Sequence, residues 1–455
     1  MGVIIPQPSP GARYPSAKVT IALVVINALI YVATSLERGL LSISNKWLQL
    51  GAYVPALCIE PSQWYRLFSS MFLHANLFHI FFNMLYLYTF GRAVESALGG
   101  KKYLTLYLLS GLLAELFHTA FIPIEGPVSA VVPAIGASGA ISGILGAYLL
   151  LFPNSRISIC FFYFFFPICF AWRAAAYLIF WFLTQIVEGY LGNALGVAVF
   201  AHVGGFIGGL ALLPLMADRE RLRLLRMLTS GRGYLYHVYA GRGGLGHLSK
   251  LILVVAILSI MVGGAYSAFS TKGIMSSLRV LDFKVNYEMY CGAALPCKGF
   301  EEEPVVIKAY GPRPSLLSPI SSDSVRVVFN RLNALGFLYG KGRPGESLFV
   351  DKSFTANVLG FDLKVVLKMQ ATYDADGFLS RAKGSMKTDV LTCLGYRCFV
   401  SGMGVYDFEI DAIYGGKGGG ALEGVVTALA LASLCVSLMA LDSLIRRAEE
   451  LAIVT

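Results

Sequence analysis

The chain has 455 residues, 56% of them hydrophobic and 14% charged, with a mean hydropathy of +0.66. Soluble domains carry about 25% charged residues, so the composition excludes an ordinary soluble enzyme, a disordered chain, collagen and a small disulfide scaffold. The net charge of +10 raises nucleic acid as a partner, but the excess sits between Asp218 and Lys250, where seven basic residues meet two acids. That is the pattern of a cytoplasmic loop against anionic lipid headgroups, and no nucleic-acid partner is expected.

A bilayer is crossed by about 20 apolar residues per helix. On that measure spans are expected at 17–36, 77–97, 102–122, 134–153, 172–190, 199–217, 250–270 and 422–443. The first lacks the basic start of a cleaved signal peptide and is expected to be retained. With a cytoplasmic N-terminus, the connections 92–102 and 154–173, the Arg-rich stretch and the tail with Arg446 and Arg447 all fall inside, as the positive-inside rule requires. Glu125 and Glu188 then fall outside. The cysteines Cys58, Cys160, Cys169 and Cys435 in or near these spans are expected to pack as small apolar residues.

The same topology places 272–420 outside the membrane, and this stretch is a different kind of sequence, with 18 basic residues against 15 acidic. Alternation over 361–373 predicts a strand, the turn residues Asp374 to Gly377 a hairpin, and Val325, Val328, Leu332 and Leu335 a helix stopping before Gly336. An α+β domain follows. Its cysteines form two close pairs, Cys291 with Cys297 and Cys393 with Cys398, suited to disulfides in an oxidising exterior, with connectivity open. The organisation expected is a core at 1–217, a basic linker at 218–249, a seventh span at 250–271, the extracytoplasmic domain at 272–420, and an eighth span with a cytoplasmic tail at 421–455.

Polar groups inside a span are costly and need a partner or a task. In the fourth span Gly136-Ala137-Ser138-Gly139 puts Ser138 at a helix start among small residues. In the sixth, His202 is the one side chain in 189–217 that titrates near neutral pH. Taken singly, a span serine usually bonds its own backbone, and the Gly205-x3-Gly209 pattern usually serves packing. Together they place a weak nucleophile and its natural base at similar depth, on helices able to approach closely.

With Trp64-x-Arg66 and His79-x3-Asn83, these elements in this order resemble the rhomboid family of intramembrane serine proteases, over residues 17–217. The resemblance implies a six-helix core, here with two further spans. It makes Ser138 the nucleophile, His202 the base, and His79 and Asn83 oxyanion donors. Trp64, Arg66, Glu95, Gly136, Gly139, Gly205 and Gly209 would be structural. It also implies a mobile fifth span and transmembrane protein substrates cut near their outer end. One position departs from the family: an aromatic residue often stands four places after the nucleophile against the imidazole, and here it is Ser142. No metal or cofactor is implied, since no His-Glu-x-x-His or other ligand cluster lies in the spans. Competing readings are a catalytically silent rhomboid-like protein that binds membrane clients, marked by loss of Ser or His, and a transporter, whose polar residues would line a path across the bilayer. A multi-pass protein of a prokaryotic cell membrane is expected.

Overall fold

The computed structural model describes residues 2–6, 17–163, 166–192, 197–230, 244–271, 278–290, 296–308, 315–316, 320, 322–338, 347–358, 360–374, 377–394, 397–414 and 419–453. They fall into two compact units, one from 1–271 with 425–455 and one from 272–424.

The first unit is helical: α1 (Lys18–Ser35), α2 (Asn45–Gly51), α3 (Arg66–Ser69), α4 (Leu77–Leu98), α5 (Gly100–Ala120), α6 (Ile122–Glu125), α7 (Ser138–Leu151), α8 (Ala174–Leu191), α9 (Val199–Met216), α10 (Arg219–Ser230) and α11 (His247–Ser270). After the second unit the chain returns in α13 (Gly419–Asp442), which runs through a π-turn into α14 (Ala448–Leu451). Among the described residues, five helices are long and apolar enough to cross a bilayer: α1, α8, α9, α11 and the α13–α14 run. Helix α7, with 14 residues, is shorter. Helices α4 and α5 have the length but carry Asn83, Arg92, Glu95, Lys101 and Glu115. Leu29, Phe81, Phe180, Val262, Phe269 and Leu438 point outward and exposed, as side chains solvated by lipid do. The protein is a multi-pass integral membrane protein.

Close helix approach sets the core. A Cβ on Gly205 would stand on the carbonyl oxygen of Gly139, and one on Gly209 on that of Gly143. With hydrogen there instead, α7 and α9 pack backbone to backbone. Around them Phe90, Tyr107, Phe117, Phe182, Phe200 and Phe206 are fully buried.

Residues 154–173, expected to be a plain connection, form a hairpin of β2 (Arg156–Tyr163) and β3 (Phe166–Arg173), to which β1 (Gly2–Pro6) adds a third antiparallel strand. The aromatic and β-branched run Ile157 to Trp172 suits strands. Cys169, expected to be a packing residue, is disulfide-bonded, and Cys160 lies opposite it in register. The basic stretch also bonds the ends of other helices. On α10, Arg221 donates through Nε and Nη2 to the carbonyl of Ser96 at 3.2 and 2.8 Å, and Arg226 donates to that of Ala452 at 2.8 Å. A cation near a helix C-terminus meets the unpaired carbonyls and negative end of its dipole.

Among the described residues, the second unit is an antiparallel sheet of seven strands with one helix. Its strands are β4 (Leu278–Tyr290), β5 (Pro296–Lys308), β6 (Ser315–Leu316), β7 (Ser347–Val358), β8 (Phe361–Tyr373), β9 (Leu379–Leu394) and β10 (Arg397–Tyr414), in the order β6-β5-β4-β10-β9-β8-β7. Leu363, Val365, Leu367, Met369, Ala371 and Tyr373 of β8 are buried, and α12 (Asp323–Ala334) supplies Val325, Val328, Phe329 and Leu332 to the same core. Cys291 and the side chains of Cys297, Cys393 and Cys398 lie outside the described residues; by backbone register Cys393 faces Cys398, and Cys297 faces Met289.

Candidate active site

Helix α7 begins at Ser138, so helical geometry gives the N–H of that residue no intrahelical acceptor. The α7–α9 glycine contact brings His202 across to it: Nε2 of His202 and Oγ of Ser138 are 2.8 Å apart. Both line a cavity of about 720 Å³, together with His79, Asn83, Trp181 and Glu188. Among sequence-predicted residues, then, Ser138, His202, His79 and Asn83 converge on one hollow.

Helix α4 positions its pair by its own start. Asn76 caps it, accepting from the N–H of His79 at 2.9 Å, as Asn commonly does at this position. Nδ1 of His79 accepts from the N–H of Ala75 at 3.2 Å. That nitrogen is therefore unprotonated, and Nε2 carries the hydrogen as a donor. Nε2 lies so near Gly136 that a Cβ there would be 2.8 Å from it and 3.5 Å from Oγ of Ser138. Asn83 donates one amide hydrogen to the carbonyl of His79 at 2.9 Å, which leaves its second for the cavity. His74 lies edge-on to the His79 ring, centroids 5.1 Å apart.

Gly136, Gly139 and Ser142 also line this cavity, whereas Trp64, Arg66 and Glu95 are not part of its lining. Trp64 donates to the carbonyl of Cys58 at 2.9 Å, and Arg66 to Gln63 and to the carbonyls of Gln49 and Ala52, which ties the loop before α4 together. Glu95 accepts from the backbone N–H groups of Val19 and Thr20 and from the Thr20 hydroxyl, at 2.8 to 3.0 Å. It thus closes the N-terminus of α1. Ser142 spends its hydroxyl on the carbonyl of Ser138 at 2.7 Å.

Sequence reasoning missed Gln185. Its Oε1 is 2.6 Å from Nδ1 of His202, while the Tyr177 hydroxyl bonds that of Tyr86. The cost of a glutamine in an apolar span was the available signal. Glu115 and His118 were missed as well. Glu115 accepts from Ser70 at 3.2 Å, and Nδ1 of His118 is 3.4 Å from Glu125; all three ionisable groups line the same cavity. Among the described residues no cluster of His, Cys, Asp and Glu could hold a metal ion.

The model of the rhomboid domain matches residues 61–219, the segment that holds Ser138, His202, His79, Asn83 and Gln185. Residues 61–219 carry a rhomboid domain. The chain is similar to a mitochondrial rhomboid protein of Saccharomyces cerevisiae, 31% identical over 36% of this chain and 46% of that one. A rhomboid-type serine protease of Emericella nidulans is 33% identical over 36% of this chain and 30% of its own length. Human inactive rhomboid protein 1 is 31% identical over 40% and 21% respectively. The chain spans under half the length of the curated relatives it matches. A mitochondrial relative at this similarity gives no ground for the expected prokaryotic source.

Proposed function

We propose that this protein is an intramembrane serine endopeptidase that cuts transmembrane segments of other proteins near their outer end. The observation that carries the reading is the 2.8 Å approach of Ser138 Oγ to His202 Nε2. His202 takes the hydroxyl proton as Ser138 attacks the peptide carbonyl, and returns it to the leaving amine; water activated by His202 then releases the acyl-enzyme. His79 Nε2–H, the second Asn83 hydrogen and the Ser138 N–H are the donors for the developing oxyanion, the kind of term that contributes most to acyl transfer. A spanning helix hides its scissile carbonyl in its own hydrogen bonds, so segments that unwind readily and carry small side chains are the substrates.

The silent reading has a relative in its favour, the human inactive rhomboid, but both groups of the dyad are present here. The orientation belongs to the proposal too: termini in the cytoplasm and 272–420 outside, on the positive-inside pattern. The disulfide at Cys169 weighs against that orientation, because cytosolic thiols in mesophiles are kept reduced. Thiol labelling of single cysteines introduced in 218–230 and 347–358, from each side of sealed vesicles, decides it.

The activity test uses the full chain reconstituted with a model transmembrane substrate. Ser138→Ala and His202→Ala each lower cleavage by about 10³-fold or more, and fluorophosphonate labels Ser138 only with His202 present. Cleavage that persists in both variants rejects the dyad.

A further inference from the structure

A serine–histidine pair works only if the imidazole presents a bare nitrogen to the hydroxyl, and nothing within the pair decides which nitrogen is bare. Ser142, four places after the nucleophile, is bonded to its own helix and gives the imidazole no support. The Trp181 ring lies 6.2 Å from that of His202 between centroids and is tilted by 37°, which packs the ring without selecting a tautomer.

The structure assigns that selection to Gln185, with Glu188 behind it. Resting on the hydrolase reading above, we infer that these two α8 residues are positioning residues of the dyad. The amide of Gln185 has two ends, and its other end settles which faces His202. Nε2 of Gln185 points to Oε2 of Glu188 at 3.5 Å, at the outer limit of a hydrogen bond. A carboxylate only accepts, so the NH2 group must turn toward Glu188. The carbonyl Oε1 then faces His202 and accepts from Nδ1–H at 2.6 Å. With the proton held on Nδ1, Nε2 is bare and receives the proton of Ser138. When the imidazole becomes positively charged during attack, the Gln185 carbonyl dipole and the Glu188 charge beyond it stabilise it. A reversed amide would donate to Nδ1, move the ring proton to Nε2 and leave the serine without a base.

Glu188 thus sets the amide, the amide sets the tautomer, and the tautomer sets the reaction. The two residues are one turn apart on α8, so the relay runs along one face of one helix. Gln185 is buried while Glu188 lines the cavity.

Two readouts on the full-length protein test the relay. In the first, 15N NMR of histidine-labelled protein, with His202 assigned by difference from His202→Ala, reports a protonated Nδ1 and a bare Nε2. Gln185→Leu is expected to convert this to a tautomer mixture. In the second, Gln185→Leu lowers kcat about 10²-fold, the low end of the effect of losing a properly placed base, with KM changed less than about threefold. Gln185→Glu keeps an acceptor on Nδ1 and restores most of kcat, which a merely structural role for Gln185 does not explain. Glu188→Gln, which allows the amide to reverse, falls between. Retention of both the Nδ1–H signal and kcat in Gln185→Leu overturns the inference, as does failure of Gln185→Glu to restore the tautomer. A wild-type protein that cleaves nothing would remove the proposed activity, yet the NMR shift would still decide the relay.

Discussion

Gly136 shows how much of the site depends on one missing carbon. Its φ is +124°, a region L side chains rarely adopt, and its Cβ position is closed by Nε2 of His79. Gly136→Ala is therefore expected to push His79 off the oxyanion position and lower kcat about 10²-fold, the usual effect of one lost donor. Fluorophosphonate labelling and turnover check it; a full-rate variant would mean that His79 is not a donor. At this scale the sequence was most informative where polarity conflicts with a lipid surround. Ser138 and His202 stand out for that reason, His79 and Asn83 only through the family resemblance, and all four line the cavity. Gln185 gives the same signal, but stacking and hydrogen bonding at an imidazole are different solutions to one task. Cys169 was misread because its bonding depends on a strand register invisible before folding.

Elements are joined by acids that cap helices from a distance. Glu95 of α4 closes α1, whose own N-cap, Ala17, offers no side-chain acceptor. In the other unit Glu303 and Glu301 of β5 accept from the N–H groups of Ser322 and Ser324 at the start of α12, at 2.8 and 3.0 Å. An anion at a helix N-terminus meets free N–H donors and the positive end of the dipole. Glu95 is 6% exposed, and its loss leaves buried donors without an acceptor. Glu95→Ala should cost about 3 kcal/mol, in the range for breaking a buried charged cluster, read by reversible denaturation in mixed micelles. A loss below ~1 kcal/mol would mean another group closes α1. Such caps are not legible in sequence, since partners 75 positions apart leave no local pattern. The glycine spacing of α9 and the alternation of β8 are legible, because the period of a helix or strand repeats within a few residues.

At the scale of the molecule, the second unit has a core of its own, from Leu281 and Phe283 through Phe329 and Leu367 to Ile410. Residues 272–424 are therefore expected to unfold cooperatively when expressed alone. Their pH dependence follows from β4. Asp282 has its carboxyl raised above the ordinary range, first by burial and then by Glu302, with Asp411 adding to it and Lys284 opposing; Nζ of Lys284 lies 3.6 Å from both Asp282 and Glu302. A carboxyl raised by folding binds its proton more tightly in the native state, so its contribution to stability is greatest at low pH and declines as pH rises through the raised range. Below the ordinary aspartate value of about 3.9 both states are protonated and the contribution no longer changes. Thermal unfolding of 272–424 should thus give a higher midpoint for Asp282→Asn than for wild type at pH 7, with the two converging as pH falls toward 4. Equal midpoints at pH 7 would show that Lys284 fully offsets the burial, and a lower one for the variant would reverse the sign of the argument.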